Sequence, residues 1–520
     1  MHSRSIWRGS RRFRRLAVAG LVLSLAACGD DSAERQKEAE AIAKAIEGYL
    51  ATLEDPNTGA GLKHEKVTVT PSGTDKSYAV AITGLKLGGA TGYGVTIGEV
   101  DYRLTPAEQS TYQVDSLKLP VEFPVIADKK TVAAVTLENG PFTAVWSSPL
   151  HNFLKLDWQV KNLVVAVPDK PDLAIHGDSL AITGQGKDNG KGRLDQTVHF
   201  TVAGLAIADK SAGDDVKLAK LENELTVTNF DSIGYQQQMD KLRGLTAKLT
   251  PKTAVAQNGA TPPAAPTLTE EDRKLMAEII AALPKTISGY ASTIRLEGLS
   301  VAGRDGGAPF RIAHAGTDVA FKGIDTDKAE LDLALSHDGL EVAGAAMQDP
   351  TVQALLPRSG SLSLVATDLP VPSLAEAFAK VMPQLGSDDP AQAQAAQFAM
   401  MGALMQILGQ SNLKLRIDPS WLEAAKARLT ADGQFSLAPN VPGMATGTVN
   451  LGLTGLDDLV AMFSAMPGDP MAANALQMLG QAQALANRET GADGKPVDKF
   501  KVDLTPQGTL EVNGKPLNNL

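Results

Sequence analysis

Two hydrophobic periods succeed one another along the chain, and they predict the order of its secondary structure. Between Asp31 and Leu53, apolar side chains recur every three or four residues among Glu and Lys, which predicts an amphipathic helix. From Lys66 to about Leu249 the period is two, which predicts strands with one buried and one solvated face. Gly, Pro, Asn and Asp interrupt these strands at short intervals, so we expect successive hairpins of an antiparallel sheet.

The second half of the chain mixes the two periods. Residues 251–268 have the Pro-, Ala- and Thr-rich composition of a linker, and Thr269 with Asp272 then predicts the start of a helix. Strands alternate afterwards with helices, among them Ala391 to Gln410 and a short one from Trp421. We therefore predict an α+β fold that is rich in antiparallel sheet, with curved meander or hairpin sheets and with helical insertions in the C-terminal half.

A Gly-Leu step recurs inside the predicted strands. It indicates a repeated strand unit rather than a motif with chemistry of its own. The four steps are Gly84-Leu85, Gly204-Leu205, Gly298-Leu299 and Gly339-Leu340.

The N-terminus has the organisation of an export signal. Six arginines precede an apolar run from Leu16 to Leu25, which is too short to span a bilayer permanently. The segment Leu25-Ala26-Ala27-Cys28 resembles a bacterial lipobox, and Cys28 is the only cysteine in the chain. This resemblance implies cleavage before Cys28 and lipid, palmitate included, on that residue. The alternative is an ordinary secretory signal with a chance cysteine.

These signals divide the chain into five parts. The helix after the signal is either a stalk between membrane and domain or a helix packed on the first sheet. The predicted parts are a lipoprotein signal peptide at 1–27, a tether helix at 28–55, an antiparallel β domain at 56–250, a linker at 251–268 and an α+β domain at 269–520.

Charge and histidine spacing argue against several function classes. The full chain carries a net charge of −10, and removal of residues 1–27, with six Arg and no acidic residue, makes it −16. An acidic chain of this kind is a poor nucleic-acid binder. The mature histidines never occur at metal-ligand spacing, so we expect no metal, no cofactor and no catalytic residue.

Large aromatic residues cluster between Tyr93 and Trp158 in a chain that is otherwise poor in them. One interpretation is a core, and the other is an apolar groove that binds a ligand through its aromatic side chains. The candidate ligand-binding residues are Tyr102, Tyr112, Trp146 and Trp158.

Short motifs also resemble AsmA- and YdgA-type bacterial envelope proteins. They are the strand units with Gly-Leu steps, Asp368-Leu369-Pro370 before a helix, and the ending Glu511-Val512-Asn513-Gly514-Lys515-Pro516. The resemblance implies long curved sheets, a role in envelope lipid homeostasis and no catalytic signature.

The sequence therefore predicts a non-enzymatic, lipid-anchored protein of the bacterial cell envelope. It would face the periplasm from the inner or outer membrane, and it would bind an apolar or amphipathic ligand or scaffold an envelope assembly. Its partners would be the membrane, through lipid on Cys28, and a lipid or an envelope protein. Two alternatives are a purely structural interaction protein and an unrecognised hydrolase of envelope glycans or lipids.

Overall fold

The fold is an extended antiparallel sheet with one helix packed on its first strands and further helices in the connections between later strands. The computed structural model describes residues 32–52, 61–72, 76–88, 93–127, 130–147, 149–150, 152–211, 213–249, 268–302, 309–344, 347, 349–385, 390–438, 441–442, 444–466, 468, 470–491 and 494–517. The predicted signal peptide and Cys28 lie outside these residues.

The strands fall into two groups, on either side of residue 250. The first group is β1 Gly61–Lys63, β2 Lys66–Ser72, β3 Ser77–Gly88, β4 Tyr93–Pro106, β5 Thr111–Lys118, β6 Glu122–Ala127, β7 Lys130–Ser147, β8 Asn152–Ala166, β9 Leu173–Gly190, β10 Arg193–Asp209 and β11 Asp214–Asp231. The second group is β12 Gly289–Val301, β13 Phe310–Lys322, β14 Ala329–Asp338, β15 Glu341–Val342, β16 Pro357–Leu369, β17 Lys414–Ala424, β18 Arg428–Leu437, β19 Ala445–Thr454, β20 Asn487–Thr490, β21 Pro496–Leu504, β22 Leu510–Val512 and β23 Lys515–Pro516.

The described helices are mostly insertions between strands of the second group. They are α1 Ser32–Thr52, α2 Ser232–Leu249, α3 Glu270–Ala282, α4 Pro350–Leu355, α5 Val371–Val381, α6 Pro390–Gln410, α7 Leu456–Ser464 and α8 Pro470–Leu485. Short 3₁₀ turns occupy Glu108–Ser110 and Leu283–Lys285. The predicted α+β, sheet-rich fold is confirmed.

Strand pairing follows chain order, as in a long meander. From β7 onward each long strand pairs antiparallel with the next long strand, through to the pairing of β19 with β21. Strand β11 pairs with β12 from Val216↔Val301 to Thr228↔Gly289, although the predicted linker separates them in sequence. Strands from both predicted domains therefore belong to one sheet.

Two local predictions were wrong. The strand period ends at Asp231, and residues 232–249 form α2, in which Leu245 is fully buried. Trp421 lies in β17, opposite Ser361 and Thr430, and not in a helix. The Ala, Glu and Lys after Trp421 favour helix locally, but hydrogen bonding to strands on both sides outweighs that preference.

The helices pack either on the first strands of the sheet or on one another. Helix α1 packs on β2, with Ala39, Ile42 and Leu50 buried, which is the packed alternative of the two that the sequence left open. Helix α3 contacts α2 and α5, α5 contacts α6, and α7 contacts α8. Helix α3 begins with the predicted capping box, in which Thr269 and Asp272 bond each other's backbone amides.

The Gly-Leu steps share one backbone conformation. Gly84, Gly204, Gly298 and Gly339 have φ between 63° and 65°, the left-handed region that favours glycine. Before each of these glycines the apolar side chains occupy positions of one parity, even or odd, and after it they occupy positions of the other parity. Even so, Ile82 and Leu85, on either side of Gly84, belong to the same buried cluster. The glycine thus keeps the apolar side chains on one face of the sheet while the alternation shifts by one residue.

Candidate ligand-binding surface

Within the part of the chain that the structure describes, the cluster of buried apolar residues that includes the first strands lies beneath α1. The cluster beneath α1 includes buried side chains from β2, β3, β4 and β5, such as Tyr78, Val80 and Leu104. In β9, β11, β12 and β13, by contrast, none of the described large apolar side chains is buried. The middle of the sheet therefore has no comparable core.

The apolar side chains of the middle strands nevertheless form continuous rows. Directly paired residues of an antiparallel sheet lie on the same face, so pairing identifies these rows. We call the surface that they form the apolar face. Its rows include Val202–Leu221–Leu296, Val227–Tyr290–Phe321–Leu331, Val319–Leu333–Leu364–Ile417, Leu205–Leu218–Leu299–Ile312 and Val216–Val301–Phe310–Val342.

The opposite face of the same strands carries charged side chains that form ion pairs with one another. Arg295 donates to both oxygens of Asp318, at 2.7 and 2.9 Å. Lys322 donates to Glu330 and to Asp332, each at 2.8 Å, and these two hydrogen bonds raise the pKa of Lys322. The charged face is a solvated surface, and the two faces of this single layer therefore differ in polarity along most of its length.

The apolar face deepens into a pocket between β14 and β18. Its volume is about 270 Å³, and its lining is almost entirely apolar. Leu335, Leu362, Leu422 and Leu429 line it, and each is 41–42% exposed. Contiguous exposed apolar side chains of this kind are unusual in a soluble domain unless something covers them.

Three of the four predicted aromatic residues lie together, away from this open region. Tyr102, Tyr112 and Trp146 pack against the core cluster beneath α1. The ring of Trp146 contacts Tyr49 of α1 edge-on, with centroids 5.1 Å apart. Burial raises the pKa of Tyr102, and burial followed by the charge of Glu38 raises that of Tyr112.

Trp158 lies elsewhere, at the start of the apolar face. It pairs with Phe142 on one side and with Ile182 on the other, and Ile182 pairs in turn with Phe200. The ligand-binding role of the four aromatic residues stays a prediction.

Sequence reasoning missed the aliphatic rows as a candidate site. The sequence does contain evidence of these rows, because Leu, Ile and Val alternate strictly with polar residues in the strands. Alternation shows that a strand has an apolar side but not what covers that side.

Two segments resemble ligand-binding loops in sequence, one a phosphate-binding loop and the other a calcium-binding loop. Both have structural roles. Gly184 to Gly192 forms the end of β9 and the turn into β10. Asp325 and Asp327 lie in the turn between β13 and β14, where they accept hydrogen bonds from Ser288 at 2.6 Å and Ser373 at 2.9 Å. Among the described residues, no group of three or more His, Cys, Asp or Glu could hold a metal ion.

No described helix has the length and apolar character needed to cross a membrane. Comparison with family models, with curated proteins and with solved structures found no match for this chain.

Proposed function

We propose that this chain is a lipid-anchored protein of the bacterial cell envelope that binds the acyl chain of an amphipathic ligand on its apolar face, without a catalytic step. The observation that carries the proposal is the series of aligned Leu, Ile and Val rows that no described helix buries. The lipobox-like segment ending at Cys28 supports the location, because a lipid there would hold the sheet beside a membrane.

An acyl chain is the occupant that the chemistry of this surface favours. The rows present aliphatic carbon without charge, whereas charged pairs occupy the opposite face. Each methylene that leaves water contributes about 0.8 kcal/mol. A chain that lays about eight methylenes on the face therefore gains about 6 kcal/mol before the entropic cost of association.

Two neighbouring residues of β18 provide a matched test. Leu429 lines the pocket of the apolar face, whereas Thr430, the next residue along the strand, does not line it, and its side chain points to the opposite face. Both residues are exposed, so glutamate at either position costs the free protein little. The full chain would be titrated with parinaric acid, a fatty acid that fluoresces in apolar surroundings.

We expect saturable binding by the wild type, at least fivefold weaker binding by Leu429→Glu, and unchanged binding by Thr430→Glu. The reason is that a carboxylate on the apolar face must lose water when an acyl chain covers it. Absence of probe uptake by the wild type, or equal affinities of the two variants, would contradict the proposal.

A further inference from the structure

A second cavity lies where β11 and β13 begin and where β12 ends. Helices α2 and α5 follow the other ends of their strands, so they lie at the opposite strand ends from this cavity. Its volume is about 780 Å³, within the usual range for ligand pockets. Lys217, Ser300, Arg311 and Glu341 line it, and they pair across four adjacent strands in that order. Their side chains therefore lie on one face, opposite the apolar row Val216–Val301–Phe310–Val342.

The segment that leads into β16, together with the first residues of β16, completes this cavity. Met347 and Leu356 contribute apolar surface to its lining, and Arg358 contributes a guanidinium group. The backbone of this segment is held in place because the amide of Leu340 donates to the carbonyl of Arg358 at 2.9 Å. The cavity thus combines three cationic side chains with an apolar wall.

The two arginines differ from other arginines on the charged face. Arg295 pairs with Asp318, Arg416 with Asp418 and Arg428 with Glu423. Within the part of the chain that the structure describes, the side chains of Arg311 and Arg358 have no ion pair and no hydrogen bond. In an acidic chain, two guanidinium groups without a carboxylate partner in one cavity favour the binding of an anion there.

The acidic groups of the cavity leave this cationic character in place. Oδ2 of Asp215 accepts from Lys217 at 2.6 Å, and Oδ1 of Asp215 is buried out of reach of solvent. Glu341 is exposed and neighbours Arg311 in register, but the two form no ion pair. Each of these carboxylates has a cation beside it, which leaves Arg358 as the excess positive charge.

We propose that this cavity binds an organic phosphate, with Arg311 and Arg358 on the phosphate oxygens and Met347 and Leu356 against the carbon skeleton. The guanidinium fork matches a phosphate through two parallel hydrogen bonds, which is why arginine serves this purpose better than lysine. The phosphate belongs either to a small soluble ester or to the head group of a lipid. Val301, Phe310 and Val342 of the apolar face also line this cavity, but Arg311 lies on the opposite face, and the phosphate proposal does not depend on the function proposed for the apolar face.

The test is calorimetric titration of the full-length protein, in detergent micelles and at constant ionic strength. The probes are glycerol 3-phosphate, for a soluble ester, and dihexanoyl phosphatidic acid, for a lipid head group. Dihexanoyl phosphatidylcholine is the control lipid, because its phosphate is masked by choline. The variants are the double substitution Arg311→Gln/Arg358→Gln and, as a matched control, Arg416→Gln on the same face.

We expect saturable binding of at least one phosphate probe, at least tenfold weaker binding by the double variant, and affinity within twofold of wild type for Arg416→Gln. Preference for glycerol 3-phosphate would identify a soluble ester. Preference for phosphatidic acid over phosphatidylcholine would identify a lipid head group. The proposal is overturned if neither phosphate probe binds saturably, or if the double variant binds like the wild type.

Discussion

At the scale of single residues, the left-handed glycines explain how long strands keep one apolar face. A Cβ atom added to Gly298 would lie 2.8 Å from the Cβ of Ala219, and one added to Gly339 would lie 2.6 Å from that of Ala313. The positions across from these glycines are therefore alanines, the smallest side chains that still have a Cβ. Both the backbone conformation and the close cross-strand approach require glycine.

Gly298→Ala should lower the free energy of unfolding by about 1–3 kcal/mol, because it forces a left-handed residue with a side chain against Ala219. Gly402→Ala is the control, since this glycine is exposed in α6 and has open space around it. There alanine should stabilise the helix by about 0.5–1 kcal/mol. Chemical denaturation measures both, and equal effects of the two substitutions would refute the role of the glycine conformation.

At the scale of elements, one arginine joins a helix to the last strands of the sheet. Arg488 of β20 donates to Asp457 in the first turn of α7 at 2.8 Å and to Asp498 of β21 at 2.9 Å. The side chain of Asp498 is only 3% exposed. Loss of Arg488 would therefore leave a buried carboxylate without its partner, which costs more than the loss of an exposed ion pair.

Arg488→Met should reduce the free energy of unfolding more than Arg295→Met does, because only the former leaves a buried carboxylate without its cation. The hydrogen bonds from Arg488 hold the pKa of Asp457 below its usual range. The stabilisation linked to Asp457 is therefore present above a pH of about 4 and is lost as the pH falls through the lowered pKa.

The stability difference between the wild type and Arg488→Met should accordingly narrow as the pH falls from about 5 to about 2. Urea denaturation at several pH values measures this difference. A difference that stays constant over that range would show that Asp457 does not contribute through its ionisation.

At the scale of the whole molecule, the sheet does not stop at the predicted linker. Strand β11 before it and strand β12 after it pair along most of their lengths. Arg193 of β10 also donates to the carbonyl of Lys285, which lies beyond the linker, at 2.7 Å. The two halves of the chain are therefore expected to stay together without a covalent connection.

A protease site placed between Gln257 and Asn258 would test this expectation. After cleavage, the two fragments should co-elute in native size-exclusion chromatography, because the β11–β12 ladder still joins them. The same sample in denaturant should separate into two fragments, which verifies the cut. Separation under native conditions would mean that the covalent linker, and not strand pairing, holds the halves together.

The sequence by itself determined the strand-rich α+β class, the capped helix that begins after Thr269 and the recurrence of Gly-Leu units, since propensity, capping and alternation are local properties. It did not reveal α2 or the strand at Trp421, where pairing and packing with distant segments decide the outcome. Only the tertiary structure showed that α1 covers the aromatic cluster while the Leu, Ile and Val rows remain open. Alternation makes one face of a strand apolar, but what lies against that face depends on where distant helices pack.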